Sequence, residues 1–164
     1  MTDERIEVLH TFTMNQLRRY LQAAIGLVIR HPITGTSIIP VLADGRIVLV
    51  QRRDNGRWSL PGGIIDWGED IPNSVRRELA EETGLKLVKI NRLVGVYSDP
   101  HRDPRFHSIC VVVEALVEGE IRVQDSLEVM DAQAFSPSDI PIGQLSHDHD
   151  RQMQDYLSGL TMIA

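Results

Sequence analysis

Three carboxylates at residues 78, 81 and 82 carry the strongest chemical signal in this chain. Their spacing, i, i+3 and i+4, places Glu78, Glu81 and Glu82 on one arc of roughly 100° if the segment is helical. Like charges so spaced repel by about 0.2–0.5 kcal/mol per pair. A helix that served only as surface would interleave lysines, and Arg77-Glu-Leu-Ala-Glu-Glu82 does not. The stripe therefore implies a hard divalent cation, Mg²⁺ or Mn²⁺, held by carboxylate oxygens.

Those acids need a helix with firm ends. Asp70 or Ile71 marks its N-cap region, and Pro72 falls in the first turn, where a missing N–H costs nothing. Gly84 is placed to stop it in the left-handed conformation. Upstream, Ser37–Ala43 and Arg46–Arg53 read as strands flanking Asp44-Gly45, a tight hairpin turn. Asp54-Asn55-Gly56 makes the next turn, and Trp58-Ser-Leu-Pro-Gly-Gly63 leads into the acidic helix. Downstream, Val88–Val96 and Phe106–Val117 read as strands, and the apolar run Ile109–Val113 suggests a buried central position. Glu118-Gly119-Glu120 is a turn. The segment ending Ala134-Phe135-Ser136-Pro137 reads as acidic stretch and turn, and Asp148–Leu157 as a last helix. The order does not alternate like a doubly wound sheet, so the class is α/β with a mixed sheet.

Residues 8–30 stand apart. Leu9, Phe12, Leu17, Tyr20, Leu21, Ala24 and Ile25 recur near helical spacing, and Ile25–Ile29 is apolar almost all round. The predicted division is an N-terminal helical extension, 1–34, closed by His31-Pro32 and Thr34-Gly35, and a catalytic domain, 35–164. Apolar surface on several faces is most simply covered by a second copy of the chain, which predicts a homodimer.

At 164 residues the chain suffices for one domain with a substantial core. A net charge of −6 and no basic patch argue against a general nucleic-acid binder, DNA above all. No apolar run is long enough to span a membrane, and the start Met1-Thr-Asp-Glu-Arg5 does not read as a secretory signal. The expected compartment is the cytoplasm, with no membrane association. A lone cysteine, Cys110, sits in an apolar run and reads as a core residue.

The run Gly63 to Leu85 resembles the Nudix box, G-x5-E-x7-R-E-U-x-E-E-x-G-U with U aliphatic: Gly63, Glu69, Arg77, Glu78, Leu79, Glu81, Glu82, Gly84 and Leu85 meet every fixed position. Resemblance to the Nudix hydrolases implies an α/β/α sandwich with a mixed sheet. It implies Mg²⁺- or Mn²⁺-dependent hydrolysis of a nucleoside diphosphate linked to another moiety. Carried over, Glu78 and Glu82 are the main metal ligands. Glu81 is a further ligand or the general base, and the Gly62 carbonyl is an additional ligand. Glu69 and Arg77 form a structural pair beside the reacting groups. A last acidic ligand from a later loop is best matched by Glu128, with Glu118, Glu120 and Asp125 competing.

Arg52, Arg53, Arg102 and Arg105 could grip phosphate or the leaving group, since guanidinium suits phosphate geometry. The run Ser98-Asp-Pro-His-Arg-Asp-Pro-Arg105 resembles loops of Nudix members that act on ADP-ribose or nucleotide sugars, the leading substrate class. Nucleoside triphosphates come second, and RNA 5′ ends third, disfavoured by the acidic balance. The rival from another class is a non-catalytic, nucleotide-binding regulator. His101, His107, His147 and His149 lack metal-ligand spacing and read as surface histidines, and Trp58 as packing rather than substrate stacking.

Overall fold

A computed structural model describes residues 31–103, 107–124 and 127–164. The helical reading of residues 8–30, the homodimer built on it, and the positions of Arg105 and Asp125 lie outside these.

The strands run β1 (Ile33–Val41), β2 (Ile47–Arg52), β3 (Trp58–Ser59), β4 (Lys86–Tyr97), β5 (Ser108–Glu118), β6 (Val129–Phe135) and β7 (Met162–Ile163). Two helices interrupt them, α1 (Ile71–Thr83) and α2 (His149–Leu157). The sheet order is β3-β2-β1-β5-β4-β7, with β6 on β2. β1 pairs parallel with β5 and β7 parallel with β4; the other pairings are antiparallel, so the sheet is mixed.

The apolar strands look unpatterned because both faces are covered. Successive side chains point to opposite faces. Ile38, Val48, Val50, Val113 and Ala115 therefore join Val75 and Leu79 of α1 in one core. Ile39, Ile47, Leu49, Cys110 and Val112 join Met153 of α2 in the other. One helix on each face makes the α/β/α sandwich. Cys110 is buried, as its neighbours imply, with Ser37 Oγ 3.1 Å from its sulfur.

The local signals act where expected. Gly45 has φ 86°, and the Leu42 N–H donates to Arg46 O at 2.9 Å across the hairpin turn. The Asp70 side chain accepts from the Asn73 N–H at 2.9 Å, and Gly84 closes α1 at φ 73° with its N–H on Ala80 O.

Three expectations are corrected. Thr34 and Gly35 do not end an extension: β1 begins at Ile33, and they pair with Ile109 and Cys110 of β5. Ala134-Phe135 is the end of strand β6, not a turn. Only Val129 and Ala132 of β6 are buried, and this weak apolar signal is interrupted by the exposed Met130, Asp131 and Gln133. Trp58 packs as expected: it begins a two-residue strand, and its ring lies edge-on against Phe135 at 5.0 Å. Finally, His149 is not a surface residue, because it is buried beneath the cleft described next.

Candidate active site

The acids stand on α1, which lies over the start of β1. The buried side of the helix is Ser74, Val75, Glu78, Leu79, Glu82 and Thr83. Glu78 and Glu82 thus share the stripe that packs on the sheet, each only 7% exposed. Glu81, grouped with them by spacing, turns outward with its side chain 49% exposed. A helical arc of that width straddles the boundary between core and solvent.

Burial of two carboxylates has a cost, which sets their chemistry. The Glu82 carboxyl is pushed up to about 8, first by burial and then by the charges of Glu78 and Glu128, against a 2.8 Å hydrogen bond from the Gly62 N–H. Glu78 is also raised by burial, opposed by its contact with Arg77 at 2.7 Å. Arg77 is the hub of the loop. It donates twice to Glu69, at 3.0 and 2.9 Å, and to Ile64 O at 3.1 Å, with Glu81 at 3.4 Å. The Glu69 hydrogen bonds in turn hold that carboxyl below its ordinary value and raise the Arg77 guanidinium above its own.

Glycine is required at the turn into this loop. Gly62 has φ 143°, and a Cβ there would strike Thr36 O; a Cβ on Gly63 would strike the Glu78 carboxylate. Backbone and carboxylate approach here as closely as they can.

A cleft opens beside α1, and Gly62, Glu82, Glu128 and Arg52 are among its lining residues. Glu128 thus reaches the site from beyond the box. Glu118 and Glu120 lie exposed at the turn after β5, with Glu120 3.3 Å from Arg122. Arg52 makes a two-point contact with Asp54, at 2.9 and 2.7 Å. Arg53 is exposed and does not line the cleft; its N–H donates to Glu128 O at 2.8 Å.

Arg102 also lines the cleft, but not as a loop cation in solvent. Its side chain is 9% exposed and grips Asp148 through two 2.9 Å hydrogen bonds, with Ser108 Oγ as a further acceptor. In the sequence Asp148 marks only the start of a helix, and nothing there pairs it with Arg102, 46 residues away. His149 Nδ1 accepts the Leu60 N–H at 3.0 Å and lies 3.0 Å from Ser59 Oγ. Burial, above all, pushes that imidazole down to about 3, so it stays neutral.

Among the described residues, no three acidic, imidazole or thiol groups are drawn together as a finished metal cage. The donor set nevertheless suits a hard cation. Glu78, Glu82 and Glu128 are oxygen donors, and the charge of Glu128 raises the proton affinity of both Glu78 and Glu82. Two buried carboxylates, Glu78 and Glu82, with exposed Glu128 beside them, call for positive charge.

A NUDIX domain model matches residues 31–156. The chain is 37% identical over 131 residues to an ADP-ribose pyrophosphatase of Methanocaldococcus jannaschii, covering 77% of this chain and 74% of that protein. The fold matches the NUDIX domain of Shewanella oneidensis NrtR complexed with ADP ribose, with a TM-score of 0.71 and 25% identity over 80% of this chain and 90% of that one. It also matches a bifunctional NMN adenylyltransferase/ADP ribose pyrophosphatase of Francisella tularensis complexed with AMP and a Mn ion. The TM-score there is 0.70, at 23% identity over 88% of this chain and 46% of that one.

Proposed function

Since the chain belongs to the NUDIX domain family, whose hydrolases act on pyrophosphate bonds, we propose that it cleaves the pyrophosphate of ADP-ribose or a nucleotide sugar in a Mg²⁺- or Mn²⁺-dependent reaction. The observation that carries this reading is the convergence of Glu82, Glu128 and Arg52 on one cleft, with Glu78 behind Gly63. The archaeal relative's name supports ADP-ribose among the possible substrates.

Glu78, Glu82, Glu128 and the Gly62 carbonyl would hold the cation, with exposed Glu81 as a further ligand or the general base. When bound, a divalent ion neutralises the diphosphate and lowers the pKa of its water. Arg77 holds the loop by pinning Glu69, Glu78 and Ile64 O. Arg52, which lines the cleft, would meet the diphosphate. Arg102 lines the same cleft while already engaged with Asp148. In this reading residues 8–30 form a helix that pairs two copies, and the enzyme works in the cytoplasm. Light scattering that finds a monomer would remove the pairing.

The test is a panel of nucleoside diphosphate derivatives with Mg²⁺ or Mn²⁺, read by chromatography of products. AMP released from ADP-ribose, faster than any product from nucleoside triphosphates, is the expected result. Preferred attack on triphosphates would shift the substrate class. Nucleotide binding with no turnover of any panel member would favour a binding module instead.

A further inference from the structure

His147 is the single non-glycine among the described residues with a positive φ, 53°. That region brings Cβ against the following carbonyl, so a side chain there is strained unless its surroundings enforce it. Here they do. On one side the Ser146 N–H donates to Trp58 O at 2.8 Å, and Asn55 Nδ2 donates to Ser146 Oγ at 2.9 Å. On the other, Asp148 is held by Arg102 and by Gln152 Nε2 at 3.0 Å. His149 then binds the Leu60 N–H. Both flanks of a strained residue are thus tied to β3, the Asp54–Gly56 turn and the loop after β4.

The side chain so presented lines the cleft that holds Glu82, Glu128 and Arg52, and the chemistry described above does not use it. We propose that His147 is a nucleotide-contacting residue, hydrogen-bonding ribose or phosphate through its ring nitrogen. A polar contact is favoured over stacking because the lining of this cleft carries charged groups, Arg52, Glu82, Arg102, Asp103 and Glu128, and, among the described residues, no aromatic ring other than His147 and the buried His149. Residues on strained backbone persist where function needs one side chain in one place. The inference rests on the cleft being the nucleotide site.

The experiment titrates ADP with Mg²⁺ by calorimetry into the full chain and its variants, with melting temperatures measured in parallel. His147→Ala is expected to weaken ADP about tenfold, the loss of one hydrogen bond. His147→Gly tolerates φ 53° and should melt no lower than wild type while binding as weakly as His147→Ala. His147→Gln should recover part of the affinity, and His147→Phe none. Equal affinity of wild type and His147→Ala overturns the contact. So does a His147→Gly variant that loses affinity and stability together, or full recovery by phenylalanine, or a wild type that does not bind ADP. Failure of wild type to release AMP from ADP-ribose, with the affinity loss intact, removes the substrate reading and leaves the contact standing.

Discussion

Along the α1 wall of the cleft, the charged contacts are local: Glu69, Arg77, Glu78 and Glu82 come from one loop and one helix, and Arg77 joins Glu69 and Glu78 over separations of eight residues or fewer. Along the α2 wall it is not. Arg102 meets Asp148 across 46 residues, and Leu60 meets His149 across 89. The first wall concentrates like charge, which costs energy and so stands out in the sequence. The second consists of long-range hydrogen bonds between residues that, taken one by one, look like surface polar groups. On the proposed reading the walls have different work: the acids would do the chemistry at a cost to stability, and the frame opposite would contribute stability and position.

The sharpest way to break this comparison is Glu82→Gln. The amide can still accept from the Gly62 N–H but loses the charge. Turnover at matched Mg²⁺ should fall by about 10²-fold or more, since charge stabilisation at a metal is worth several kcal/mol. The melting temperature should hold or rise, because a buried carboxylate beside Glu78 and Glu128 is gone. Near-native turnover would deny the acidic wall its role.

Asp148→Asn probes the other wall. It leaves the Arg102 guanidinium, 9% exposed, without its anion. Removing one partner of a buried pair costs about 3–5 kcal/mol, and the partial exposure here puts the expected loss near about 3 kcal/mol by urea unfolding. Replacing both partners with apolar residues should cost less than the sum of the single changes. Strict additivity would mean the pair is not coupled.

The smallest effect is a pH slope from His149. Its ordinary value is 6.5, and burial lowers it to about 3 in the fold. The unfolded chain therefore takes up the proton first. The contribution is fully present above pH 6.5 and is lost as pH falls from there toward 3, at no more than about 1.4 kcal/mol per pH unit. Protonation also removes the acceptor that Nδ1 offers to the Leu60 N–H. His149→Gln should show a flatter decline in unfolding free energy between pH 7 and 5 than wild type. Parallel curves would place the acid sensitivity elsewhere.

What the sequence by itself determined is what acts over a few residues. Asp70 and Gly84 end α1 because a cap and a left-handed stop act within one turn, and Asp44-Gly45 sets its hairpin for the same reason. Glu78 and Glu82 could be assigned to one helical stripe, and Glu69 to Arg77, because a helix and its leading loop make such separations contacts. Only the tertiary structure decided which face of that stripe is buried. Glu81 was grouped with its neighbours until the packing of Val75 and Leu79 on the sheet turned it to solvent. β6 was invisible because its two buried side chains, Val129 and Ala132, count as apolar only against β2 and α1. His149 read as a surface residue because its burial and neutrality depend on Ser59 and Leu60, brought to it by a strand far earlier in the chain. Periodicity reports the angle between neighbours on one element. It carries no information about which distant element will cover them, and that covering set the burial of Glu82 and the backbone of His147 alike.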